Sequence, residues 1–354
     1  MTPPPVSVVM VVCNVERFLA EALESILVQT FRDFEFLILD FGSTDGTKSI
    51  VSRYAKLDAR IRVHEVSPCG LAEARNAVSF LAQGRYVAVQ DADDISLPER
   101  LEVEVQFLES HPTVGVVGSA TQWIDPHGNL LWVHRVPTKD LEIRQALLTC
   151  CPFIQSSVLF RREAFAAVGG YRSPFAPAED YDLWIRIAER FECANLEQVL
   201  LKYRIHPYQL SLRNRRQQSL GILAAQESAR FRATRNSDPF AEVKQITPAV
   251  LSEFGVDEAK QQAGLFSDYR DWIRNMFVAR EYSVALTAAI EVLQSDWQAV
   301  ERPKIADLQL MVARLYWKQK KHLRGVLAAC KALATQPQIA GDLFGSVLRR
   351  LGLV

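Results

Sequence analysis

What this sequence lacks narrows it first. It has 6 cysteines in 354 residues, none in a CxxC arrangement, and only Cys150 and Cys151 are adjacent. No disulfide framework or zinc-ligand spacing is visible, which fits a reducing cytosol. No charge of one sign dominates. Lys+Arg and Asp+Glu number 41 each, so the formal net charge is zero, and nothing global directs the chain to nucleic acid or an acidic substrate. No stretch is apolar for long enough to span a bilayer. The opening Met1-Thr2-Pro3-Pro4-Pro5 has neither a basic n-region nor an apolar h-region, so no secretory signal is expected. The expected location is cytoplasmic, with peripheral attachment at the inner face of a membrane left open. Four motifs are also missing. Without GxxxxGK followed by Ser or Thr there is no P-loop. Without GxGxxG after the first strand a Rossmann dinucleotide fold is disfavoured. GxSxG and HExxH do not occur.

What is present is ordinary globular composition, 49% hydrophobic and 23% charged, in a chain long enough for two domains. Val6 to Val12 is continuous, β-branched and apolar, the pattern of a buried parallel strand. Asn14 is placed to cap a helix in which Phe18, Leu19, Ala22, Leu23, Ile26 and Leu27 recur at helical spacing. Phe34 to Leu39 and Ile61 to Val66 predict two more strands. Helices are expected around Ile50 to Tyr54 and over Leu71 to Leu81. Tyr86 to Gln90 predicts a fourth strand, and the alternation argues a three-layer, mostly parallel α/β sheet. Beyond it come a helix from Pro98 to about Ser110, strand pieces at Val114 to Val117 and Thr121 to Ile124, and a hairpin back through Leu130 to Val133. A helix from Tyr181 to Glu189 and a last strand from Val199 to Ile205 complete this part.

The strongest chemical signal is Gln90-Asp91-Ala92-Asp93-Asp94. Three acids at the end of a buried strand repel one another and lose hydration unless a cation sits among them. The carboxyl ends of strands in an open α/β sheet are also where ligands bind. A divalent metal carrying a phosphorylated ligand fits this pattern. The plainer account is a turn, with Asp94 and Ser96 capping the next helix.

From about Arg213 the chain changes character, and turn residues thin out. Tyr282 to Leu293 and His322 to Leu333 resemble each other at an offset of 40, each preceded by an aromatic-bearing segment. Paired helices of tetratricopeptide-like type or a plain helical bundle both fit. The expected division is 1–212, a helical linker over 213–260, and a helical region over 261–354. The last of these is a candidate surface for a protein partner.

Residues 6 to about 212 resemble the family-2 glycosyltransferases, inverting enzymes of the GT-A fold. The resemblance rests on motifs in order: Val6 to Asn14; Ser25-Ile26-Leu27-Val28-Gln29-Thr30-Phe31; Asp40-Phe41-Gly42-Ser43-Thr44-Asp45-Gly46-Thr47; Gly70-Leu71-Ala72-Glu73-Ala74-Arg75-Asn76; the DxD region Asp91-Ala92-Asp93-Asp94; Glu179-Asp180-Tyr181-Asp182-Leu183-Trp184-Ile185-Arg186; and Tyr203-Arg204-Ile205-His206. It implies a GT-A-type αβα domain followed by an all-α region. The implied reaction moves a sugar from a nucleotide-sugar donor to a hydroxyl of a glycan, a lipid-linked sugar or a protein, commonly in polysaccharide synthesis. In this reading Asp93 binds Mg²⁺ or Mn²⁺ bridging the donor diphosphate. Asp91 contacts the ribose or shares the metal's shell. Asp180 is the general base, Glu179 and Trp184 shape the acceptor side, and Arg75 and His206 lie near the diphosphate.

Plainer roles stand beside these. Asp180 occupies an N-cap-like position. Arg75 can pair with Glu73, His206 can be a strand-end residue, and Trp184 can be core. Asp182 and Arg186 can form an i, i+4 surface pair. The chain also departs from the family. Where the second-strand turn usually carries a second acid that hydrogen-bonds the donor's base, this chain has Phe41. Val11 and Cys13 replace the usual Pro and Tyr, and Gln155 stands where relatives often carry His. Phe41 keeps a second reading open, a non-catalytic GT-A scaffold. A nucleotidyltransferase would need a basic, glycine-rich loop after the first strand, and Cys13-Asn14-Val15-Glu16-Arg17 is not one.

Overall fold

The structure, a computed structural model, describes residues 3–209 and 214–339. They fall into two compact units, one drawn from residues 3–204 and 220–247, the other from 205–209, 214–219 and 248–339.

The first unit is built on one mixed sheet. Its strands are β1 (Val6–Val12), β2 (Phe34–Asp40), β3 (Ile61–Glu65), β4 (Tyr86–Val89), β5 (Ile95–Ser96), β6 (Val114–Ile124), β7 (Leu130–His134), β8 (Leu159–Arg161) and β9 (Glu192–Arg204). The order is β3-β2-β1-β4-β8-β6-β9-β5, with β7 paired to β6. β1, β2, β3 and β4 are mutually parallel, and β8 turns the sheet antiparallel against β4. The two expected strand pieces after the acid cluster are one strand, β6, which pairs in parallel with β9 along its length.

Chemistry explains the placement. β2 is buried at every position, as a central parallel strand covered on both faces must be. β3 exposes three of its five residues, as an edge strand can. One sheet face carries Val8, Met10, Phe36 and Ile38. It packs on Leu19 and Leu23 of α1 (Glu16–Leu27), Val51 of α2 (Thr47–Leu57) and Leu101 and Leu108 of α4 (Arg100–Ser110). Burying each such side chain contributes about 1.5–3 kcal/mol. α3 (Leu71–Leu81) packs on β1 and β2, and α7 (Glu179–Ala188) on β6 and β9. The remaining helices of this sheet region are α5 (Asp140–Leu147) and α6 (Arg162–Ala167). β1 lies between β2 and β4, so the carboxyl ends of all three open on one side, where the strand order reverses. That is the usual ligand edge of such a sheet.

Asn14 does not cap α1. The N-cap is Val15, without a side-chain bond. Asn14 has φ 55°, and its Oδ1 accepts from the N–H groups of Thr44 (2.8 Å) and Asp45 (3.3 Å). In return Thr47 Oγ1 and Asp45 Oδ2 accept from the N–H groups of Val15 (2.9 Å) and Glu16 (3.2 Å). The loops after β1 and β2 are thus bonded to each other.

The stretch 213–260 is divided between the units. The helix Arg215–Arg235 supplies Arg232, which pairs with Glu189 (2.7 Å) and Asp238 (2.7 Å) within the first unit. In the second unit the offset of 40 is structural. Glu258–Val278 and Tyr282–Gln294 form one helical pair, Arg302–Lys318 and His322–Thr335 another. Each pair turns on a left-handed residue, Arg280 (φ 64°) or Lys320 (φ 61°). Each sets matching rings at a steep angle to one another, Phe277 with Tyr282 and Trp317 with His322. Gly325 is required because a Cβ there would meet Trp317 at 2.6 Å.

Candidate active site

The acid cluster begins with a backbone held rigid from below. Gln90 Nε2 donates to the carbonyls of Asp91 and Asp94, both at 2.9 Å. Gln90 Oε1 accepts from Ser96 Oγ (2.6 Å) and Arg100 (3.3 Å). Arg100, fully buried, also donates to the carbonyls of Val89 and Val158, both at 3.0 Å. From the far side of the sheet Arg204 Nε donates to the Asp93 carbonyl (2.9 Å). These bonds take the turn's carbonyls.

The three acids then separate. Asp94 is fully buried and structural. It accepts from the Arg204 N–H (2.8 Å) and from Ser156 Oγ, tying β4 to β9 and to the segment before β8. Burial raises its carboxyl well above the ordinary range, and Asp93 and Asp91 push it further. Asp91 and Asp93 remain partly exposed.

Arg75, on α3, joins this cluster to the late acid motif. Its Nη1 lies 2.6 Å from Glu179 Oε1 and its Nη2 3.3 Å from Asp91 Oδ1. The alternative partner Glu73 is not the one it takes. Burial lifts Asp91 to about 6, and Arg75 opposes that rise while Asp93 and Asp180 add to it. Glu179 is fully buried and pushed up to about 7 by burial, against the pull of Arg75. Asp180 is raised by burial, again against Arg75. The cluster therefore holds more negative charge than one guanidinium neutralises.

Both late acids sit inside the first turn of α7. The N-cap is Ala178, so Asp180 does not cap the helix. Its Oδ1 accepts from the adjacent Tyr181 N–H (2.7 Å), and the helix N-terminus favours negative charge there. α7 itself is locked in place. Asp182 is not part of a surface pair. It is fully buried and accepts from both Arg172 and Arg186, while Arg186 also donates to the carbonyls of Val168 (2.6 Å) and Gly170 (2.7 Å). Tyr181 Oη donates to the Leu147 carbonyl (2.6 Å). Trp184 is fully buried beside Phe153 and Phe160. The structure places its ring in the core, not on a surface an acceptor would touch.

Asp40 ends β2 at the same sheet edge. Its Oδ1 accepts from the N–H groups of Gly42 (2.9 Å) and Ser43 (2.8 Å), while its buried Oδ2 has no partner. Gly42 permits this turn with φ 116°. Phe41 is partly buried, and its N–H donates to the Val12 carbonyl (3.2 Å). His206 follows β9 and belongs to the second unit. It is buried, and its Nδ1 accepts from the Tyr208 N–H (3.2 Å).

Asn76, in the same motif as Arg75, exchanges two 2.8 Å bonds with the backbone of Tyr171, a residue outside every motif. Tyr171 Oη accepts from Gln155 Nε2 (2.8 Å), and its ring centroid lies 6.0 Å from the Arg75 guanidinium. The doublet Gly169-Gly170, both with positive φ, was the available signal of a special backbone there. Gln155 Oε1 is buried without a partner.

Among the described residues no group of three or more His, Cys, Asp or Glu is placed to hold a metal ion. Two partly exposed carboxylates, Asp91 and Asp93, within an over-negative cluster would suit a hard, hydrated divalent cation that keeps part of its shell for other oxygen ligands.

Residues 7–169 match the family described as Glycosyl transferase family 2. The putative glycosyltransferase EpsE of Bacillus subtilis (strain 168) is 37% identical over 208 residues, covering 57% of this chain and 73% of EpsE. The chain belongs to glycosyltransferase family 2. Among solved structures, S. aureus TarS 1–349 in complex with UDP-GlcNAc has a TM-score of 0.55 at 16% identity, covering 94% of this chain and 91% of that one. The mannosyltransferase PcManGT from Pyrobaculum calidifontis, in complex with GDP-Man and Mn²⁺, has a TM-score of 0.50 at 20% identity, covering 93% and 86%. These two similarities show a shared GT-A-like fold. In this family-2 glycosyltransferase Asp91 and Glu179 are joined through Arg75. No helix among the described residues is long and apolar enough to cross a membrane.

Proposed function

We propose that this family-2 glycosyltransferase is an inverting, divalent-metal-dependent enzyme. It takes a sugar from a nucleoside-diphosphate donor and passes it to a hydroxyl of a growing glycan, a lipid-linked sugar or a protein on the cytoplasmic side. The observation that carries this reading is the Arg75 bridge, which puts Asp91, Glu179 and the base candidate Asp180 in one electrostatically coupled cluster.

Asp91 and Asp93 would hold Mg²⁺ or Mn²⁺, which neutralises charge on the departing diphosphate when bound. Asp180 accepts the proton of the acceptor hydroxyl as its oxygen attacks the anomeric carbon and the bond to the diphosphate breaks. A single displacement inverts that carbon. Burial makes Asp180 a stronger base than an exposed aspartate, as the task requires. Glu179 holds Arg75 in register between the two acid motifs. The unpartnered Asp40 Oδ2 is an acceptor for an N–H of the donor's base, and Phe41 offers a flat apolar surface beside it.

Calorimetric titration with a panel of nucleotide-sugars, with and without Mn²⁺, tests this reading. One donor should bind, and more tightly with the metal. Binding of none would overturn the proposal and favour the scaffold.

A further inference from the structure

We infer that the last described helical pair carries a docking face for an anionic lipid surface. The inference stands on the second unit alone and is independent of the transfer chemistry.

The helix His322–Thr335 has two apolar sides. One, with Gly325, Ala328 and Ala332, is buried within the helical repeat. The other is open. Leu323 (76% exposed), Val326 (48%) and Leu327 (57%) recur at i, i+3 and i+4, and Cys330 extends the stripe to i+7. Such spacing keeps them on one face. Trp317, 54% exposed, packs on the opposite side of this helix, at Gly325. An exposed aliphatic stripe costs free energy in water unless something covers it.

The charge around the stripe selects the cover. From Leu308 to Ile339 there is no Asp or Glu, yet Arg314, Lys318, Lys320, Lys321, Arg324 and Lys331 are all exposed. Arg324 and Lys331 are seven residues apart and flank the stripe on one side. The whole chain is formally neutral, so this is segregation of charge and not a global excess. Exposed Leu and Val flanked by unopposed Lys and Arg is the pattern of an interfacial helix on anionic lipid. A second copy fits poorly, because pairing through this face would bring like charges together. The helix lies on a surface and does not span it, being 14 residues long.

The test uses the full chain and sedimentation with vesicles of phosphatidylcholine alone or mixed with phosphatidylglycerol. The protein should partition onto the mixed vesicles only, and added salt should release it. Arg324→Gln/Lys331→Gln should weaken partitioning about fivefold per charge removed, and Leu323→Glu/Leu327→Glu should abolish it. Equal binding to neutral vesicles, or partitioning untouched by both double variants, overturns the proposal. So does a concentration-dependent dimer that Leu323→Glu/Leu327→Glu disperses without any vesicle binding by the parent. A lowered melting temperature in that variant with unchanged partitioning would show the stripe covered by the chain itself, and would equally overturn it.

Discussion

Arg75 places one guanidinium nitrogen 2.6 Å from Glu179 and the other 3.3 Å from Asp91, so α3, the end of β4 and the start of α7 meet at a single side chain. Glu179 is fully buried. Removing its cation strands a carboxylate away from water, whereas removing both partners does not. Arg75→Met should cost about 3–5 kcal/mol in urea unfolding, and Arg75→Met/Glu179→Met should recover much of that loss. Additive losses would show that the pair is not coupled.

Asp180 should separate binding from chemistry. Asp180→Asn keeps the side chain's size and its acceptor for the Tyr181 N–H but cannot take a proton. Transfer should fall by about 10²–10⁴-fold, with donor affinity by calorimetry unchanged. If transfer persists, the base lies elsewhere.

At Asp93 the side chain and the backbone do different jobs. The carbonyl holds Arg204 at 2.9 Å, and alanine preserves that bond. Asp93→Ala should therefore lose Mn²⁺ binding in the presence of donor, read by electron paramagnetic resonance. Undiminished Mn²⁺ binding would remove the metal assignment.

The donor's base should report on Asp40 and Phe41. Asp40→Asn retains an oxygen for the Gly42 and Ser43 N–H groups while turning the unpartnered Oδ2 into a donor. Nucleotide affinity should drop by about 10-fold or more, the range of an unsatisfied buried hydrogen bond. Phe41→Asp restores an acid beside the base and should reorder the nucleotide panel. An unchanged order would mean that Phe41 does not touch the base.

Glu104 should shape stability against pH. It is fully buried, 3.3 Å from the equally buried Arg100. Burial raises it from its ordinary 4.5 to about 7, with Arg100 opposing. The folded state thus holds this proton more tightly than the unfolded chain. The stability so contributed is fully present below about pH 4.5 and lost as pH rises through about 7, at most about 3 kcal/mol. Glu104→Gln lacks that loss, so thermal melts from pH 5 to 8 should fall less steeply than in the parent. Parallel slopes would show that the carboxyl ionises at its ordinary value.

Much of this protein is legible in one dimension, for reasons that are local. The apolar runs of β1, β2 and β4 and the helical spacing of Leu19, Leu23 and Ile26 report burial directly, because a strand or helix shows its covered face in its own periodicity. The acids at Asp91 and Asp93 and at Glu179 and Asp180 stand out for the same reason: carboxylates beside apolar runs are costly. The 40-residue offset was visible because both helical pairs meet the same packing problem in sequence.

Other features were decided only by the tertiary structure. Asn14 binds the neighbouring loop instead of capping its own helix. Asp182 is buried between Arg172 and Arg186, and Arg75 takes Glu179, 104 residues away, over Glu73. Asp94 differs from Asp91 only in which elements close over it. A side chain's type and spacing set what it can bond. Its partner and its exposure depend on elements brought beside it from elsewhere in the chain, and local sequence carries no record of that distance.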